Sequence, residues 1–205
     1  MTSSSTTSTS PLPARTPVLI AGGGPVGLTV AALLAQQGIA STVIEADSSF
    51  CDGSRAICMS RRSLEILGWI GADKPMLDKG LSWVGGRSYF RDREVLHFEM
   101  PAEPTQRFGP MVNIQQYYAE EFAHDAAIAT GLVDVRWSTR VSNVTPHGNG
   151  NTVEVTSANG STHRIEADWV IACDGGRSTV RELLGLQLSG MQYDGRYVIV
   201  DIEQA

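Results

Sequence analysis

VLIAGGGPVGLTVAALLAQQGIASTVIEA, residues 18–46, decides the fold. Val18–Ala21 is short, apolar and rich in branched side chains, as a buried parallel strand is. Three glycines follow at Gly22, Gly24 and Gly27. Val26, Val30, Leu33 and Leu34 then fall at i, i+4, i+7 and i+8 and predict one face of a helix. Gly38 stands where a helix C-terminal cap belongs. Thr42-Val43-Ile44-Glu45 reads as a second short strand ending in a carboxylate. The unit is β-α-β, for which a right-handed crossover is expected.

Gly22-x-Gly24-x-x-Gly27 is weak evidence alone. Here it follows a strand, opens a helix, and precedes Glu45 by 23 residues counted from Gly22. That spacing is close to the roughly 20 residues of a dinucleotide-binding unit. Gly22 permits the tight turn, Gly24 lets a pyrophosphate approach the backbone, and Gly27 lets the helix pack close to the strand. Free N–H groups and the positive dipole end at the helix start favour phosphate. Glu45 can accept hydrogen bonds from ribose hydroxyls and would repel a 2′-phosphate, so the nucleotide expected is FAD or NAD, not NADP. A glycine-rich turn without a ligand is the alternative.

Outward from this unit, residues 1–16 are Ser/Thr-rich with two prolines and predict a disordered tail without a secretory signal. Beyond Glu45, a polar loop leads to a helix near Ser60–Leu67. Residues 82–98 read as extended around a turn at Arg91-Asp92-Arg93. A helix is expected over Gln116–Thr130, with Tyr118, Phe122, Ala126 and Ala129 on one face and Gly131 ending it. Strands are expected at Val133–Trp137, Thr139–Pro146, Val153–Thr156, Thr162–Ile165 and Asp168–Ala172, with Asn159-Gly160 as a hairpin turn. A short helix at Thr179–Leu184 and a strand at Tyr197–Asp201 complete the pattern.

The chain has 205 residues, 42% of them apolar, and a net charge of −6. A chain of this length buries roughly 70% of its unfolded surface and needs no staple. Net acidity argues against nucleic-acid binding, and no run of about 18 apolar residues is present to span a membrane. Cys51, Cys58 and Cys173 lack CxxC spacing, and the four histidines lack HxxxH spacing, so no metal site is expected. The cysteines are read as buried or loop thiols, and Trp69, Trp83, Trp137 and Trp169 as core residues.

Three segments, in order, resemble the class A flavoprotein monooxygenases, the FAD-dependent aromatic hydroxylases. The stretch from Val18 to Asp47 looks like the family's FAD motif, GSRAICMSRRSLEILGWIG like its following segment, and IACDGGRSTVRELLG like its DG motif. The wording SRAIC…RRSLEIL and NIQQYYAEEF is similar to the 3-(3-hydroxyphenyl)propionate hydroxylase branch. The resemblance implies an α/β, Rossmann-like FAD-binding domain of the glutathione-reductase type, with a β-meander and a partial second β-sheet. It implies an enzyme that uses NADH or NADPH and dioxygen to hydroxylate a small aromatic, phenolic substrate.

Carried over residue by residue, Arg55 lies beside the flavin or its phosphate, with an exposed loop arginine as the alternative. Gln116 contacts the cofactor from a helix start, with Gln115 as the alternative. Val141 contacts adenine through its backbone. Asp174 meets a backbone or ribityl group, or caps the next helix; Arg177 and Arg181 add positive charge near the pyrophosphate. The expected cofactor-binding set is therefore Gly22, Gly24, Pro25, Val26, Gly27, Glu45, Ala46, Arg55, Gln116, Val141 and Asp174; no residue announces itself as a catalytic acid or base.

The family's later GD motif is absent. The expectation is an incomplete FAD-binding domain over 17–205, with the substrate domain starting near 82–110 and 187–205. Such a chain is a truncated gene product, a fragment or one piece of a split protein, open to self-association or to a complementing C-terminal portion. A cytoplasmic location and no nucleic-acid or membrane partner are expected. The competing readings are a non-catalytic FAD-binding fragment and another FAD-dependent oxidoreductase, such as a halogenase, whose WxWxIP stretch is not seen.

Overall fold

The computed structural model describes residues 11–52, 58–191, 193–196 and 198. Strand β1 (Arg15–Ala21) leads through the glycine turn into α1 (Pro25–Gln36) and back to β2 (Ser41–Ile44). Pro25 opens α1, where a missing N–H costs nothing, and Gly38 leaves it at a φ of 74°. Leu19 and Ala21 face one core cluster while Val18 and Ile20 face the other, so β1 is buried on both sides.

The main sheet has six strands in the order β8-β2-β1-β11-β10-β9, with β8 (Val133–Arg136), β9 (Thr139–His147), β10 (Gly150–Ser157) and β11 (Thr162–Ala172). From β8 to β11 the strands run parallel; β11, β10 and β9 form an antiparallel meander. Strand β11 replaces the two strands expected at 162–165 and 168–172. Glu166 and Ala167 continue the extended chain because they pair with β10 on one side and β1 on the other. Gly160 turns the hairpin at a φ of 81°.

Helix α2 (Arg61–Trp69) starts at Ser60, whose hydroxyl accepts the Ser63 N–H. Helix α4 (Gln116–Ile128) packs on α1, and α5 (Thr179–Leu183) packs on β9. Both long helices centre their buried stripe to one side of the face their large side chains predict, and Val30, Leu33, Leu34, Tyr118, Phe122 and Ala126 pack partly buried at its edge. In α1, Leu28, Ala31, Ala32 and Ala35 are buried while Val26 is 64% exposed; in α4 it is Ala119, Glu120, Ala123 and Ala127. Small side chains let backbones approach closely, and the larger ones pack at the margins.

Three short elements lie outside the sequence expectation. The seven-residue α3 (Asp73–Lys79) carries Pro75 in its first turn. Strands β3 (Cys58–Ser60) and β7 (Met111–Asn113) have three residues each, too few for a period. With β4 (Leu81–Trp83) they form an antiparallel sheet, β3-β7-β4, beside the hairpin of β5 (Gly85–Phe90) and β6 (Arg93–Glu99). The hairpin turns at Arg91, whose φ is 56°.

Order reaches back further than residue 17. Thr16 is buried in β1, the Pro11 carbonyl accepts from Arg136, and Leu12 packs against the core. The strand expected at 197–201 falls almost wholly outside the described residues. Of the tryptophans, Trp137 is core, whereas Trp69 and Trp169 are 53% and 72% exposed and Trp83 is half-buried. No helix among the described residues is long and apolar enough to cross a membrane.

Candidate functional site

The carboxyl ends of β1, β2 and β11 meet at one edge of the sheet, the place where parallel sheets hold ligands. Backbone bonds knit them: the Gly22 N–H donates to the Ile44 carbonyl at 2.8 Å, and the Cys173 N–H to the Ala21 carbonyl at 2.7 Å. A cavity of about 360 Å³ opens there. Its walls come from the glycine turn, the loop after β2, the start of α4, the start of β9 and the turn after β11.

Each glycine has its own reason. Gly22 has a φ of 103°, and a Cβ on it would sit 2.4 Å from the Cys173 carbonyl oxygen. A Cβ on Gly27 would sit 1.9 Å from the Gly22 carbonyl oxygen, so this position sets how closely α1 meets the turn. Gly24 differs: a Cβ there would meet nothing within 4 Å, because it faces the cavity. That open backbone adjoins the first turn of α1, whose N–H groups lack intrahelical partners, and its shape and donors fit a pyrophosphate.

Glu45 sits against the turn. Its Oε2 accepts the Gly23 N–H at 2.6 Å and its Oε1 accepts the Asp47 N–H at 2.8 Å. Both oxygens retain lone pairs for sugar hydroxyls. Asp174 accepts the Ser178 hydroxyl at 2.5 Å and the Val180 N–H at 3.0 Å, so it holds the start of α5 while lining the cavity. Ser178 is the N-cap proper and accepts the Arg181 N–H.

Of the residues singled out from sequence, Gly22, Gly24, Pro25, Val26, Glu45, Ala46, Gln116, Val141 and Asp174 all line this one cavity. Gly27 does not; it is buried behind the turn. Gln115 is the exposed N-cap of α4 and does not reach the cavity. Arg55 lies outside the described residues. Arg177 lines the wall, while Arg181 bonds the Gly176 carbonyl beside it.

Other lining residues were not read from sequence. Arg140 is exposed at the cavity and, like Arg177, has no ion pair among the described residues. Trp137 forms part of the floor, and Cys51 and Cys173 face the space. Burial, then the charge of Asp174, pushes the Cys173 thiol above its ordinary value. Glu120 is 4% exposed and accepts from both Gln116 and Cys51. Its place four residues after Gln116, one turn along the helix, was the available signal. No group of three or more His, Cys, Asp or Glu among the described residues is placed to hold a metal ion.

Comparison with known proteins agrees with this geometry. The chain is 32% identical over 204 residues to the 3-(3-hydroxy-phenyl)propionate/3-hydroxycinnamic acid hydroxylase of Mycolicibacterium smegmatis, covering 93% of this chain and 34% of that protein. It is 30% identical over 174 residues to the 6-methylpretetramide 4-monooxygenase of Streptomyces rimosus, covering 84% of this chain and 31% of that protein. The flavin-dependent monooxygenase PieE, solved in complex with FAD and substrate, superimposes with a TM-score of 0.78 at 25% identity, over 88% of this chain and 34% of that one. The chain thus spans about a third of the length of these relatives. A family model described as an FAD binding domain matches residues 15–205, and with the glycine turn, the seated carboxylate and the mixed sheet it shows that the chain belongs to the FAD binding domain family.

Proposed function

We propose that this chain holds FAD across the cavity described above and serves an aromatic hydroxylase that consumes NADH or NADPH and dioxygen. One observation carries the reading: Glu45 is seated on the glycine turn at the head of α1, beside the open backbone of Gly24. On this reading Gly24, Pro25 and Val26 meet the pyrophosphate, and Glu45 and Ala46 the adenosine ribose. Val141 lies at adenine, and Gln116 and Asp174 along the remainder. Arg55 takes the place beside the flavin that the family resemblance gives it. Arg140 and Arg177 supply positive charge along the wall.

Held there, FAD would supply the redox chemistry, taking hydride from a nicotinamide donor and activating dioxygen, while the chain's residues would bind, orient and shield it. The parallel strands with an attached meander support the glutathione-reductase type of Rossmann domain. The β5–β6 hairpin and its neighbours, near 82–110, read as the opening of a substrate domain; much of 187–205, the other stretch expected to open it, lies outside the described residues. A phenolic substrate is supported by the hydroxyphenyl compounds named in the relatives. Use of NAD(P)H supports a cytoplasmic setting.

FAD titration followed by flavin fluorescence tests the binding. Glu45→Ala is expected to weaken FAD by about 1–3 kcal/mol, the range for a lost hydrogen bond to a charged group. Equal affinity in the variant would count against the assignment. Stimulation of NADH or NADPH oxidation by a hydroxyphenylpropionate in air tests the chemistry. A second reading is FAD binding without turnover. Flavin binding with no phenol-stimulated oxidation would select it.

A further inference from the structure

Glu120 lies inside the molecule, yet its carboxylate is held by neutral donors. The Cys51 N–H reaches Oε2 at 2.8 Å and the Gln116 side-chain NH2 reaches Oε1 at 2.7 Å. Burying a carboxylate is costly unless hydrogen bonds replace its water. These two donors belong to different walls of the same cavity: Gln116 stands at the start of α4, and Cys51 on the loop that leaves β2. The residues before Cys51 on that loop include Glu45, Ala46, Asp47 and Ser49, all of which face the cavity.

A carboxylate with both oxygens accepting offers no donor of its own. It therefore fixes which end of the Gln116 amide faces it. The NH2 turns towards Glu120, and the amide carbonyl oxygen is left for a ligand. We propose that Glu120 is a positioning residue of the cofactor site: it orients the Gln116 amide and ties the loop after β2 to α4, so that both walls meet a bound dinucleotide in one geometry. The inference rests on the FAD reading for its ligand, and on the apo chain for its mechanics.

The test uses the 205-residue chain and its Glu120→Gln, Glu120→Ala and Gln116→Ala variants. Glu120→Gln keeps the shape and an acceptor for Cys51, but adds an NH2 that removes the single preferred orientation of Gln116. It is expected to leave far-UV circular dichroism and the melting temperature unchanged and to weaken FAD about tenfold. Gln116→Ala added to Glu120→Gln is expected to weaken FAD less than about twofold further, because the two act as a unit. Glu120→Ala is expected to speed amide exchange across 46–52 in the FAD-free chain, whereas Glu120→Gln retains the protection.

Wild-type affinity in Glu120→Gln, or full additivity with Gln116→Ala, would overturn the inference. So would a loss of FAD binding matched by a fall in melting temperature, since that marks a merely structural role. Failure of the wild-type chain to bind FAD would count against the proposed function alone. Amide exchange then decides here: faster exchange in Glu120→Ala upholds the tie between loop and helix, and equal exchange refutes it.

Discussion

A single methyl group distinguishes the glycines of the β1–α1 turn. At Gly24 it would enter open space, so Gly24→Ala is expected to change stability by less than about 0.5 kcal/mol. FAD affinity in that variant is expected to fall about tenfold, by fluorescence titration, because the methyl occupies the cradle. At Gly27 the same methyl meets a backbone oxygen, and Gly27→Ala is expected to cost about 1–3 kcal/mol or more in chemical denaturation. Cys173 gives a pH test. Its ordinary thiol value is 9.0, and burial and Asp174 raise it, so the folded chain favours the neutral thiol. Its contribution to stability is present below the unfolded thiol's value and is lost as pH rises through the raised one. Labelling of Cys173 by iodoacetamide is expected to set in at higher pH than for a cysteine peptide, and to slow when FAD is added. The glycines and Glu45 were legible because their meaning lies in short spacings. For Glu120 the local signal was its place one turn after Gln116; its other partner, Cys51, is 69 residues away and was not legible.

At the scale of elements, type and order were legible and faces were not. The hydrophobic period identified α1 and α4, but weighing large side chains centred the buried stripe to one side: Val30, Leu33, Leu34, Tyr118, Phe122 and Ala126 pack partly buried at its edge, and Val26 is exposed. Val30, Leu33 and Leu34 occupy the margins of α1, and Leu28 with the alanines occupies the contact, where small side chains admit close packing. Ala123→Leu, a fully buried position, is therefore expected to destabilise by about 1–3 kcal/mol, measured by denaturant melts. Breaking 162–172 into two strands had a different origin. Glu166 interrupts the apolar pattern, yet its carboxylate accepts the Thr152 hydroxyl from the neighbouring strand and needs no loop. Partners across a sheet are invisible to a period read along one strand. Strands β3 and β7 exist through pairing alone.

At the scale of the molecule, apolar surface is unevenly distributed. Tyr89, Phe90, Val95, Leu96 and Phe98 on the hairpin are all exposed, as are Leu81 and Val84 beside it. Unpaired strand edges with exposed apolar side chains invite association. Sedimentation velocity is expected to show concentration-dependent self-association, reduced in a Phe90→Lys, Leu96→Lys double variant. Unchanged behaviour in that variant would place the contact elsewhere. The sheet carries the opposite property. Strand β11 belongs to the parallel core through β1 and to the meander through β10, with Glu166 and Ala167 bonded into both. One length of backbone is thus warp to one fabric and weft to the other. Neither half is expected to unravel without loosening its neighbour, so heat or denaturant is expected to meet them as a single cooperative unit.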